Sequence, residues 1–258
     1  MTTRKEIRAR CDATLAFAAA LACVGFGTAG CATPGPLHVY TIAPGQPAVV
    51  HDTSGTAPAV DVPDFLAPGE TLTGFAYDPF TDHFFLRLAP GNRIRVVDRP
   101  ARAVKREFKV AQLSTAGGGD LAIRPRDGHV FALESSEHAV VEFNRLGEFV
   151  RRIPLSGLPG PVAGLGYDSA RDRLLVLSGA PARVTTHTLD GKLLSGAPLD
   201  REITPAALAY DSEKKEIYVP LAAGSAIGIF GEDGKCRRTL PLNATFLDVG
   251  PRSFLRLF

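Results

Sequence analysis

The feature that most constrains this chain is a block that recurs every 43–46 residues. Its copies are FAYDPFTDHFFL (Phe75–Leu86), LAIRPRDGHVFAL (Leu121–Leu133), LGYDSARDRLLVL (Leu165–Leu177) and LAYDSEKKEIYV (Leu208–Val219). Each copy runs from a small and apolar pair through Asp or Arg, then Pro or Ser, into a polar turn and an apolar strand. Repeats of this length mean solenoids, propellers or arrays, because one unit cannot bury its own faces and must stack on neighbours.

The stretch Asp120–Leu155 shows what one unit contains. Four short runs rich in Val, Ile and Phe (LAI, HVFAL, AVVEF and EFVRRIPL) are separated by Pro125–Gly128, Glu134–His138 and Asn144–Gly147. Short apolar runs bounded by Gly, Pro, Asn and Ser are the strand-and-hairpin pattern. Asp190-Gly191 and Asp233-Gly234 are strong hairpin dipeptides in the later copies. Four antiparallel strands per unit select a β-propeller.

The chain ends complete the count. The N-terminal LHVYTI and AVVHD (Leu37–Asp52) read as a second hairpin without its first, and FLDVGPRSFLRLF (Phe246–Phe258) as a first hairpin without its second; residues 53–70 read as a connecting loop. Joined, the two hairpins make a fifth blade and leave no long edge unpaired. Residues 37–258 number 222, which five units of about 44 fill. A six-bladed ring is the alternative, and it needs a blade with no visible sequence.

Residues 1–30 stand apart from the repeats. Arg4, Lys5, Arg8 and Arg10 precede an apolar run from Leu15 to Gly27 and then small residues, the layout of a secretory signal. The segment Thr28-Ala29-Gly30-Cys31 resembles the lipobox of bacterial lipoproteins, with Thr28 where Leu is usual. That resemblance implies lipid attachment at Cys31 and, with Ala32 following, sorting to the periplasmic face of the outer membrane. Residues 31–36 are then a short tether and 37–258 the folded domain. Four of the 29 basic and two of the 27 acidic residues precede Ala32, which leaves 25 of each and no net charge. A neutral body gives no general electrostatic reason to hold nucleic acid. Cys11 and Cys23 fall in the signal and Cys31 would carry lipid, so Cys236 has no disulfide partner in the mature chain.

The blade Asp120–Leu155 resembles the NHL class of propeller repeat, and more loosely the YVTN class. The likeness lies in its apolar-Ala-apolar run, its Pro-Arg-Asp-Gly turn, the VFAL strand, the Ser136-Glu-His138 tip and Phe143-Asn-x-x-Gly147. The resemblance implies a propeller used for binding, without naming a ligand. The absence of Trp excludes the tryptophan-aspartate repeat class.

Motifs for chemistry are sparse. Gly25-Phe-Gly27-Thr-Ala-Gly30 fits a dinucleotide fingerprint but lies in the signal, away from any strand-to-helix turn. Six scattered histidines, with Cys236 the one mature cysteine left free of lipid, carry no zinc spacing, so neither metal nor cofactor is expected. Asp78, Asp168 and Asp211 recur at one turn and read as turn formers. The basic stretch from Arg93 to Lys109 reads as a solvated face, or as a docking patch for anionic headgroups or an acidic partner. By analogy with propellers whose loops carry function, the candidate ligand residues are Asp120 and Asp248 near the channel, with Arg93, Glu134 and His138 on the blade tips, beside Asn92 and Ser136.

Two functions follow. The first is a monomeric, lipid-anchored module that binds an envelope protein or a glycan. The second is a lactonase-like, metal-assisted hydrolase or a glycosidase, with Asp120 and Asp248 as a carboxylate pair at the channel mouth.

Overall fold

The computed structural model describes residues 37–45, 48–53, 59–115, 118–158, 160–222 and 226–252. The candidate signal, Cys31 and the tether lie outside the described residues. The chain opens with β1 (Leu37–Ile42), β2 (Val50–Asp52) and β3 (Ala59–Val62). Blade 1 follows as β4 (Thr71–Asp78), β5 (His83–Ala89), β6 (Arg93–Asp98) and β7 (Ala103–Lys109). Blade 2 is β8 (Leu121–Arg124), β9 (His129–Glu134), β10 (Ala139–Phe143) and β11 (Phe149–Pro154). Blade 3 is β12 (Val162–Asp168), β13 (Arg173–Gly179), β14 (Ala182–Thr188) and β15 (Leu193–Pro198). Blade 4 is β16 (Ala209–Asp211), β17 (Glu216–Pro220), β18 (Ile227–Gly231) and β19 (Cys236–Leu240), and the last strand is β20 (Phe246–Pro251).

Five antiparallel four-stranded sheets result, and the fifth has the order β20-β1-β2-β3. The innermost strands β4, β8, β12, β16 and β20 meet in that order, and β20 returns to β4, so the ring closes with five blades. The composite blade uses both chain ends, as the repeat count requires, but divides as one strand plus three instead of two hairpins. The stretch read as a loop from 53 to 70 contains β3. Pro and Gly crowd a run only four residues long, yet Val62 is buried and pairs with Val50. Of the expected C-terminal hairpin, only β20 falls within the described residues.

Apolar side chains fill the five interfaces between blades. Tyr40, Phe75, Tyr77 and Phe84 pack between blades 5 and 1, while Phe131, Ile153, Leu165 and Tyr167 pack between blades 2 and 3. Two turn devices repeat. Asp82, Gly128, Asp172 and Lys215 occupy one left-handed position, each just before the second strand of its blade, at φ 58°, 72°, 54° and 56°. Every blade also carries a bulge between its third and fourth strands, which twists the outer edge.

Candidate functional site

The recurring Asp residues act as the turn formers that their repetition suggests. Asp168 Oδ1 accepts the amides of Ala170 and Arg171 at 3.1 and 3.2 Å, and Asp211 Oδ1 those of Glu213 and Lys214 at 3.0 and 3.1 Å. Asp78 Oδ1 accepts the Phe80 amide at 3.1 Å, while Arg145 of blade 2 reaches across to Asp78 Oδ2 at 2.7 Å.

Asp120 stands just ahead of β8, fully buried. Its Oδ1 accepts the Phe75 amide at 3.3 Å, and its Oδ2 accepts those of Leu165 and Leu208 at 3.3 and 3.1 Å. The neighbouring Leu121 amide adds to their effect on the carboxyl. One carboxyl thus joins the innermost strands of blades 1 and 3 and the approach to that of blade 4, from its own place at the head of blade 2. The free inner edge of each innermost strand points its amides at the axis, where no further strand can accept them, and Asp120 supplies acceptors instead. Burial pushes its pKa well above the usual carboxylate range, and the four amides oppose that rise.

Asp248 does similar work on β20. Its Oδ2 accepts the Tyr77 amide at 2.7 Å, and its Oδ1 accepts Val249 at 2.8 Å. Part of the residue's surface stays open, but the carboxyl is enclosed, and burial pushes it up to about 7 against those two amides. Phe75 and Tyr77 are two residues apart on β4, so their amides point the same way about 7 Å apart. Asp120 and Asp248 therefore lie along one strand edge, and every one of their four carboxyl oxygens accepts a backbone N–H.

The tip residues do not join them. Glu134 is buried and binds Arg87 of blade 1, while its Oε2 accepts the Ser114 amide at 3.2 Å. Arg87 is itself fully buried and also donates to Leu133 O at 2.6 Å; a side chain on Gly118 would collide with its guanidinium. Arg93 lies on the outer part of blade 1 between Glu70 and Glu107, at 2.8 and 3.0 Å. Arg95 holds Glu70 through two nitrogens at 2.6 and 2.8 Å, which with Arg93 brings the Glu70 pKa down to about 2. Much of the basic stretch is thus neutralised within the blade. His138 is a half-buried turn residue at φ 48° whose carbonyl accepts the Leu155 amide at 2.8 Å. Among the described residues, no group of three or more His, Cys, Asp or Glu is arranged to hold a metal.

A cleft that the sequence did not mark opens between blades 3 and 4. It has a volume of about 210 Å³ and lies at the end of the blades opposite the loops singled out above. Asp168, Arg171, Arg173 and Glu232 bring charged groups to its lining, Tyr210 a hydroxyl, and Leu175, Val184 and Ile217 apolar side chains.

These features define a five-bladed β-propeller with a packed, hydrogen-bonded centre. No protein-family model matches the sequence, and a search of curated proteins finds no match. Among solved structures, the fold is similar to a chain of a nidogen/laminin complex, with a TM-score of 0.57 and 11% identity over 83% of this chain and 98% of that one. It is also similar to virginiamycin B lyase from Staphylococcus aureus, with a TM-score of 0.50 and 13% identity over 79% of this chain and 69% of the lyase. At these identities the likeness is one of fold.

Proposed function

We propose that the chain is a lipid-anchored binding or scaffold module of the cell envelope, built from NHL-like blades and acting as a monomer on an envelope protein or a glycan. The observation that carries this reading is the use of Asp120 and Asp248. A glycosidase needs one carboxyl to give a proton and another to face the sugar or a water, whereas all four oxygens here accept backbone amides. The fold alone decides nothing, since a protein complex and a lyase both share it. Cys31 is the proposed lipid site, and the periplasmic face of the outer membrane the proposed address.

The test is crosslinking of the full chain in its own membranes, followed by purification and mass spectrometry, beside the Cys31→Ser variant. The reading expects a recurrent protein or glycan partner with the wild type, and a lipid mass that the variant lacks. Turnover of a lactone or glycoside that disappears in Asp248→Asn would contradict it.

A further inference from the structure

The cleft between blades 3 and 4 has an identifiable cause. Pairing registers on either side of the bulges align the fourth strands of the four complete blades. Phe108 opposite Ile94, Ile153 opposite Val140, Ala197 opposite Val184 and Leu240 opposite Ile227 share one position. Phe108, Ile153 and Leu240 each pack into the interface with the next blade. In blade 3 that plug is cut back to Ala197. Two residues earlier, Arg106, Arg151 and Arg238 correspond to Ser195. Both truncations line the cleft.

The same change removes a partner from Arg173. Its repeat position is filled by His83, His129 and Glu216 in the other blades. His129 pairs with Glu142 at 2.6 Å, and Glu216 with Arg238 at 2.8 Å. Blade 3 offers Thr186 where Glu142 stands and Ser195 where Arg238 stands. Arg173 is left 3.7 Å from Asp168, beyond hydrogen-bond reach, and its Nε is buried with no hydrogen-bond partner among the described residues. Glu232 occupies the turn position from which Arg145 crosses to Asp78; it binds Arg171 and accepts the Tyr210 hydroxyl at 2.8 Å.

We infer that this cleft is a binding site for one neutral sugar unit of a glycan, an inference that rests on the binding reading above. Two acids and two guanidiniums cancel, so the cleft has no net charge to attract an anion or a cation. Both donors and acceptors line it, as a ring of hydroxyls requires, and Leu175, Val184 and Ile217 add apolar surface for a C–H face. The 210 Å³ lies below the ordinary range for drug-sized ligands, about 300–1,000 Å³, which suits a single ring more than a long chain. Arg173, whose side chain is 25% exposed and makes no hydrogen bond among the described residues, is the donor with most to gain from a hydroxyl oxygen, through its outer nitrogens.

The experiment uses the full chain in mild detergent on an array of neutral hexosides, N-acetylhexosaminides and uronate-containing glycans. The wild type is expected to hold a neutral glycan. Ala197→Leu, which restores the plug found in the other blades, should weaken binding at least tenfold without lowering the melting temperature, and Arg173→Gln should weaken it to a similar extent. Binding only to uronates, or binding unchanged in both variants, would overturn the site. Should the array stay empty while a crosslinked envelope partner is still recovered, the sugar site fails and the binding reading stands; an empty array with no partner defeats both.

Discussion

Asp120 sets what the centre of this molecule can do. Replacing it with Ala leaves buried amides on Phe75, Leu165 and Leu208 without an acceptor. At about 1–3 kcal/mol for each orphaned group, Asp120→Ala should cost about 3 kcal/mol or more, read from the denaturant midpoint. An unchanged midpoint would mean that water or a ligand already shares those amides. Asp248 gives a pH signature. Its folded pKa of about 7 exceeds the unfolded value near 4, so the folded chain holds the proton more tightly. The stabilisation is full below about pH 4 and is lost as pH rises through about 7. Melting temperatures of the wild type should therefore fall relative to Asp248→Asn between pH 4 and 7, and run parallel to it above. Glu70 slopes the other way, losing stability as pH falls toward about 2. The sequence showed that Asp120 departs from the repeat, but not why. Its amide donors lie 45 and 88 residues away in other blades, and local pattern carries no trace of them.

At the scale of elements, turn chemistry decides where strands meet. Gly191 and Gly234 sit at φ 81° and 78° in outer hairpins, and a side chain on either would stand 1.9 or 2.0 Å from the carbonyl oxygen of Pro154 or Pro198 in the preceding blade. Gly191→Ala and Gly234→Ala should each lower stability by about 2 kcal/mol or more, since backbone must move as well as φ. Lys215 offers the reverse case. It holds the left-handed position that blade 2 gives to Gly128, so Lys215→Gly should raise the melting temperature, by the equivalent of up to about 1 kcal/mol. Both kinds of turn were legible, as Asp-Gly pairs and as a recurring polar run. β3 was not, because four residues between Pro58 and Pro63 carry too little alternation to stand out. The truncations at Ser195 and Ala197 were hidden differently: they align with Arg238 and Leu240 only when the bulge in each outer hairpin is counted.

For the whole molecule, the period of 43–46 residues and the partial units at the ends were enough to give five blades and a composite closure. How the closing blade is divided depends on contacts between its distant parts. Arg252 donates to the Tyr40 hydroxyl at 2.8 Å and to Asp52 at 2.8 Å, tying the end of β20 to the start of the domain. A chain ending at Thr245 should lose the cooperative thermal transition, because β20 supplies both the inner strand of blade 5 and Asp248. The central claim is that the propeller's axis is a closed hydrogen-bonded pin, which leaves the proposed recognition to the blades. Amide hydrogen exchange of the folded wild type tests it most directly. Phe75 and Leu165, on the inner edges of β4 and β12, and Leu208, just ahead of β16, should exchange as slowly as paired amides in β5 and β13. Fast exchange at those three amides would show an open, solvent-filled channel and contradict it.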